Sequence, residues 1–152
     1  MTLVLESRHV TAVRRHGEAD YPREACGLIG GTLEGGSGRK VAVTLLPVMN
    51  ARRDAPRNRY LIEPASFRRA QERLARDGLD VIGVYHSHPD APARPSAFYR
   101  ENAWPRLSYV IAAVVQRRAG EVRSWVLSDD RKAFDEEPLT LVTRTVVWQS
   151  QS

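Results

Sequence analysis

The chain has 152 residues, 42% of them hydrophobic and 27% charged, and a formal net charge of +5. That length suits one domain, 1–152, with roughly two thirds of its unfolded surface buried around a single core; no apolar run approaches the ~20 residues of a membrane span. The opening Met1-Thr2-Leu3-Val4-Leu5-Glu6 is too short and too soon acidic for a signal peptide, and a single cysteine, Cys26, excludes an internal disulfide framework and suits a reducing cytoplasm.

In chain order, Val10 and Val13 at helical spacing among charged residues predict a helix over 7–19, capped by Ser7 and stopped before Pro22. Cys26 to Thr32 reads as a strand, Gly35-Gly36-Ser37-Gly38 as a turn, and Val41 to Val48 as the partner strand. Cys26, inside this Gly-rich apolar strand, is a packing residue rather than a nucleophile. The cluster Arg52, Arg53, Arg57 and Arg59 falls in a loop before a short strand, Arg59 to Ile62. Its charge invites a nucleic-acid reading, but no zinc-finger, RNP-type or helix-turn-helix pattern accompanies it. The expectation is therefore no nucleic acid, no membrane, and a solvated basic face or a contact for an acidic protein. Pro64 to Asp77 is the best helix, with Pro64 in the first turn, Phe67, Ala70 and Leu74 on one face, and Gly78 at its end. Val81 to His86 is a buried strand, Ser96 to Trp104 a short helix between prolines, and Ser108 to Val115 a strand. Arg118-Ala119-Gly120 is predicted to turn into Val122 to Leu127, and Leu139 to Trp148 to close the domain. This order predicts an α/β fold, a mixed sheet flanked by helices.

The segment His86-Ser87-His88-Pro89 ends the Val81-Ile82-Gly83-Val84-Tyr85 run. Strand side chains alternate faces, so His86 and His88 share one, and two imidazoles on one face make half of a zinc site. Taken alone, H-x-H leaves open the plainer case of one His against the core and the other in solvent. The longer pattern resembles the JAMM, or MPN-plus, metalloprotease signature, in which H-[ST]-H-P is followed by seven spacer residues, a Ser, two more residues and an Asp. Here residues 89–95 are the spacer, Ser96 is the Ser, Ala97 and Phe98 follow, and Tyr99 stands where the Asp is due. Upstream, Pro22-Arg23-Glu24-Ala25-Cys26-Gly27-Leu28 is similar to the family's first block, which carries a Glu just before a Cys-Gly-Leu strand.

The resemblance implies the JAMM/MPN (cytidine-deaminase-like) sandwich. It implies zinc held by His86 and His88, with Tyr99 at the third ligand position, Glu24 as general base and then acid, and Ser96 at the oxyanion. It further implies cleavage after the C-terminal Gly-Gly of a ubiquitin-like or sulfur-carrier protein, with release of cysteine as one version. Simpler roles stand beside these: Glu24 as a solvated acid, Ser96 as a helix N-cap, Asp90 as a turn residue, Ser87 as a structural group on the opposite face. A phenol with pKa near 10 is a poor substitute for a carboxylate ligand. Weak or absent zinc and reduced hydrolysis are therefore expected, and the alternative is a non-catalytic MPN-type module that binds a ubiquitin-like protein. A zinc nucleoside deaminase would need a Cys pair, which one cysteine cannot supply.

Overall fold

The computed structural model describes residues 2–36, 38–49, 62–96 and 103–143. A strand, β1 (Thr2–Glu6), leads into α1 (Ser7–Asp20), β2 (Cys26–Glu34), β3 (Arg39–Val48), α2 (Pro64–Arg76) and β4 (Asp80–Pro89). Then follow β5 (Ser108–Val115), β6 (Arg118–Leu127), β7 (Phe134–Glu137) and β8 (Leu139–Val142). The eight strands form one mixed sheet in the order β7-β6-β5-β4-β2-β3-β1-β8. The expected α/β layout is what is found.

Alternation along the strands sorts the core into two layers. Leu3, Leu5, Ile29, Tyr85 and Val110 pack with Val10 and Val13 of α1. Their sequence neighbours Leu28, Val84 and Tyr109 pack on the other face with Ala70 of α2 and with Phe67. One-residue steps thus separate the two helices' contacts, as the period of two demands. β4 lies in the middle, antiparallel to β2 and parallel to β5. A strand covered on both faces reads as a continuous apolar run, which is why residues 81–85 were legible.

Several boundaries differ from expectation. β1 and β7 went unread because each is short and neither alternates cleanly: Leu3, Val4 and Leu5 of β1 are all buried. α1 is capped by Glu6 rather than Ser7; the Glu6 N–H donates to His9 Nδ1 at 3.2 Å in a reciprocal capping box. The β5–β6 turn lies at Gln116 and Arg117, both at positive φ, and Arg118 already belongs to β6. A two-residue turn of that hand matches the twist of its strands. β4 runs on through His88 to Pro89 instead of stopping at His86. Ser96, Ala103 and Trp104 are not helical, and the rest of the predicted helix, with Tyr99, lies outside the described residues. So do Arg52, Arg53, Arg57 and Arg59 and the end of the last predicted strand.

Residues 134–142 join the two ends of the sheet. β7 pairs with β6 at one edge, β8 with β1 at the other, and only Pro138 stands between them. The sheet is therefore curled, and inside the curl lies a buried polar clasp. Lys40 Nζ donates to Ser108 Oγ at 2.9 Å, and Ser108 and Ser124 donate to Glu137 Oε1 at 2.6 and 2.9 Å. The Lys40 ammonium lies 3.6 Å from Glu137 Oε2. Buried charges of this kind persist only when paired and hydrogen-bonded.

His9, 4% exposed, is a second buried polar group. Burial and the Arg8 guanidinium hold its imidazole below the ordinary value of 6.5. Between the folded value and the unfolded 6.5 the unfolded chain binds the extra proton. Its contribution is thus complete above 6.5 and lost as pH falls below it. The urea midpoint is expected to drop from pH 7.5 to 5, with a slope of up to ~1.4 kcal/mol per pH unit from this one proton. His86 and His88 add slope of the same sign, so the difference between the parent and His9→Asn isolates His9. An unchanged slope in His9→Asn would refute the assignment.

Candidate metal centre

The site begins with the ladder between β2 and β4. Cys26 pairs with His86, and the Ser87 N–H donates to Ala25 O at 3.0 Å, carrying the pairing one rung further. Glu24 lies two residues before the start of β2 and is 1% exposed. Ser87, on the face opposite the two histidines, locks this junction: its Oγ accepts from the Ala25 N–H at 2.8 Å. Behind it, a Cβ on Gly17 of α1 would lie 3.0 Å from Ser87 Cβ and from Val114 Cγ2, so a side chain there would have to push these neighbours aside by a few tenths of an ångström. Ser87 is structural, as its alternation suggests.

His86 and His88 are 1% and 6% exposed, and their Nε2 atoms are 3.1 Å apart. Here the His86 Nε2–H donates to His88 Nε2; two nitrogens bound tetrahedrally to one zinc at 2.0–2.1 Å would be about 3.3 Å apart, so the same spacing would also suit ligands of a single ion. His88 Nδ1 donates to Pro92 O at 2.7 Å, which leaves its Nε2 as the lone-pair atom. A histidine ligand held by a backbone carbonyl in this way is oriented and fixed in tautomer. Burial, and then the His88 imidazole, hold His86 well below its usual range. Burial lowers His88 too, against the hydrogen bond to Pro92. Both rings are neutral at pH 7 and able to donate to a cation.

The donor set fits zinc in two positions of the three a catalytic site needs. Among the described residues no group of three His, Cys, Asp or Glu comes together. Cys26 is no candidate: it is buried, and burial followed by the Glu24 and Asp20 charges pushes its thiol up to about 12. Ser96 is exposed at the last described position of its segment. Asp90 is a turn residue at positive φ; its carboxylate accepts from Tyr21 OH at 2.5 Å and from the Gln116 N–H at 2.9 Å.

Glu24, 1% exposed, lines the wall of an open cleft of about 860 Å³ between the α1–β2 connection and the end of β3. His16, Asp20 and Arg23 supply its other charged groups, Val48 and Met49 an apolar side. On the α1 face, Tyr85 OH meets His16 Nδ1 at 2.8 Å, and His16 Nε2 lies 3.3 Å from Asp20 Oδ2. A Cβ on Gly27 would stand 2.3 Å from the Tyr85 ring, which explains the glycine opposite it. The Pro92 carbonyl and the Ser87 clamp both went unread in the sequence. A backbone acceptor leaves no side-chain signal, and only the spacing of Pro92 four residues after His88 hinted at the first.

The family described as prokaryotic homologs of the JAB domain matches residues 6–128. The chain is 37% identical over 101 residues to the desampylase of Haloferax volcanii, covering 65% of this chain and 69% of that protein. It is 34% identical over 98 residues to a probable TtuB-protein conjugate cleaving protease of Thermus thermophilus, a match spanning 64% of this chain but only 61% of that relative's length. Over 142 residues it is 32% identical to the CysO-cysteine peptidase of Mycobacterium tuberculosis, covering 92% of this chain and 91% of that protein. Among solved structures, a Desulfitobacterium hafniense protein superposes with TM-score 0.80 at 28% identity, covering 94% of each chain. A JAB1/MPN domain protein from Archaeoglobus fulgidus, 16% identical, shares the fold with TM-score 0.55 over 93% of this chain and 99% of that one.

Proposed function

The chain belongs to the prokaryotic homologs of the JAB domain, and from that premise we propose that it is a zinc-dependent peptidase or isopeptidase. Its substrate is the amide bond after the C-terminal Gly-Gly of a ubiquitin-like or sulfur-carrier protein. The observation that carries this reading is the His86–His88 pair, with Nε2 atoms 3.1 Å apart, in a chain that also holds a buried Glu24 just before β2. The names of the Thermus, Haloferax and Mycobacterium relatives support the substrate class. Among the described residues no helix is long and apolar enough to cross a membrane, and we place the activity in the cytoplasm, where the lone Cys26 thiol stays reduced.

In this reading His86 and His88 hold the metal through Nε2, and Pro92 keeps the His88 ring aimed. When bound, zinc would supply acidity, lowering the pKa of a water to about 7. Glu24 takes the proton of the attacking water and returns it to the departing amine, work worth about 10²–10⁴ in rate. Ser96 is assigned to the developing oxyanion. Tyr99 at the third ligand position weakens zinc and slows hydrolysis.

That same Tyr99 favours one other reading, a binding module for a ubiquitin-like protein. Mass spectrometry on a carrier protein bearing one residue beyond its Gly-Gly separates the two. The peptidase reading expects loss of that residue, slowly with this chain and faster with Tyr99→Asp. Carrier binding without cleavage by either, at full zinc content in the variant, would establish the module instead.

A further inference from the structure

We propose that Tyr21 is a positioning residue for the histidine pair: acting through Asp90 and the Pro92 carbonyl, its hydroxyl holds the His88 ring with Nε2 bare for a metal. The role rests on His86 and His88 being ligands, and it adds a group 69 positions before Asp90 that sets the geometry of one of them.

After β4 the chain must reverse sharply to bring Pro92 O back onto His88 Nδ1 at 2.7 Å. The corner is Asp90, whose φ of 52° is left-handed backbone that side-chain-bearing residues seldom adopt, aspartate and asparagine more readily than most. Such a corner persists where its surroundings over-determine it. The Asp90 N–H donates to Val114 O at 2.7 Å, and Oδ1 accepts from the Gln116 N–H at 2.9 Å. Those partners belong to β5 and the turn after it. Oδ2 accepts from Tyr21 OH at 2.5 Å, and Tyr21 belongs to neither, being the C-cap residue of α1. A hydroxyl donating to a carboxylate at that length makes a strong, charge-assisted hydrogen bond.

Tyr21 delivers its hydroxyl from a firm base. Its N–H donates to Gly17 O at 3.1 Å. Gly17 itself lies so close on β4 and β5 that a Cβ there would come 3.0 Å from both Ser87 and Val114. Beyond Pro92 the turn is pinned again: the Arg94 N–H donates to Pro92 O at 2.8 Å, and Trp125 Nε1 to the carbonyl of buried Ala93 at 3.0 Å. The Pro92 carbonyl is thus suspended between two fixed points, of which Asp90 is one. The consequence falls on His88, because the hydrogen bond at one ring nitrogen decides which nitrogen keeps the lone pair. With Pro92 O in place, Nδ1 carries the proton and Nε2 accepts from His86. Once the corner relaxes, the proton is free to sit on Nε2, the atom that a metal would need.

Nitrogen-15 NMR of the imidazoles tests this without turnover. Chelator-treated protein is examined at pH 8, with the His88 signals identified from a His88→Gln variant. The parent is expected to show His88 protonated at Nδ1. Tyr21→Phe removes one hydroxyl; Asp90→Asn keeps a residue that tolerates the corner but removes the charge that receives it. Each is expected to lower the ratio of Nδ1–H to Nε2–H forms at His88 by about tenfold, the worth of one hydrogen bond to a charged group. The double variant should do no more than either alone, since the two residues are ends of one bond. A lower urea midpoint with the parent's tautomer would make Tyr21 a structural strut and overturn the proposal, as would effects of the two substitutions that multiply. Zinc added to Tyr99→Asp protein supplies the separate arm. A zinc-dependent shift of both Nε2 signals supports the ligand assignment, so a failure in the tautomers then counts against Tyr21 alone. No such shift would overturn the ligand assignment and the proposal together.

Discussion

Tyr99→Asp is expected to take the chain from little zinc to one equivalent, measured by plasma mass spectrometry after identical loading and desalting. Two neutral imidazoles are already spaced for one ion, with Nε2 atoms 3.1 Å apart and one ring anchored on Pro92. What the donor set lacks is an anion. A phenol reaches further from the backbone than a carboxylate and must lose a proton with pKa near 10 before it can serve as one. Loss of an outer partner alone costs about 10–100-fold in metal affinity or activity, and a ligand should be worth at least that. Cleavage of a Gly-Gly-extended carrier is expected to rise with the zinc. One equivalent in both proteins would mean that Tyr99 or a neighbour already completes the site; zinc in neither would sink the metal reading.

In that Tyr99→Asp background, Glu24→Gln is expected to lower kcat by about 10²–10⁴ while leaving zinc content and urea midpoint unchanged. The substitution keeps the size of a side chain that is 1% exposed and removes only its ability to carry a proton. The split between metal content and rate is the informative part. If zinc fell together with activity, Glu24 would be a ligand and the base would have to be sought elsewhere. If neither changed, Glu24 would be a buried structural acid at the β2–β4 junction.

How far the sequence could be read depended on how each feature is encoded. The α2 helix was legible to within a residue at its end because Pro64, a one-sided apolar stripe and Gly78 are local signals, and Gly78 takes the positive φ of 71° that such an end uses. The β5–β6 turn was misplaced because glycine at 120 is a strong turn signal, whereas the turn is built on Gln116 and Arg117. Lys40 had no local mark of burial either. It ends as a 2% exposed ammonium because Ser108 and Glu137 arrive from two other strands to receive it, and Ser124 from a third holds Glu137.

The site divides in the same way. By itself the sequence determined that His86 and His88 share a face, since a period of two is a property of any extended strand. It also determined the donor types and, through the two similar blocks, the family. Only the tertiary structure decided that Ala25 meets Ser87, because 62 positions separate them and nothing but the β2–β4 register joins them. It alone drew the two Nε2 atoms to 3.1 Å, by turning the chain at Asp90 so that Pro92 O could hold the His88 ring. It alone set Glu24 on one cleft with Val48 and Met49. The physical reason is that strand periodicity and residue chemistry are local, whereas a ligand spacing, a buried charge and a cleft wall are made by segments distant in sequence and exist only once the sheet has formed.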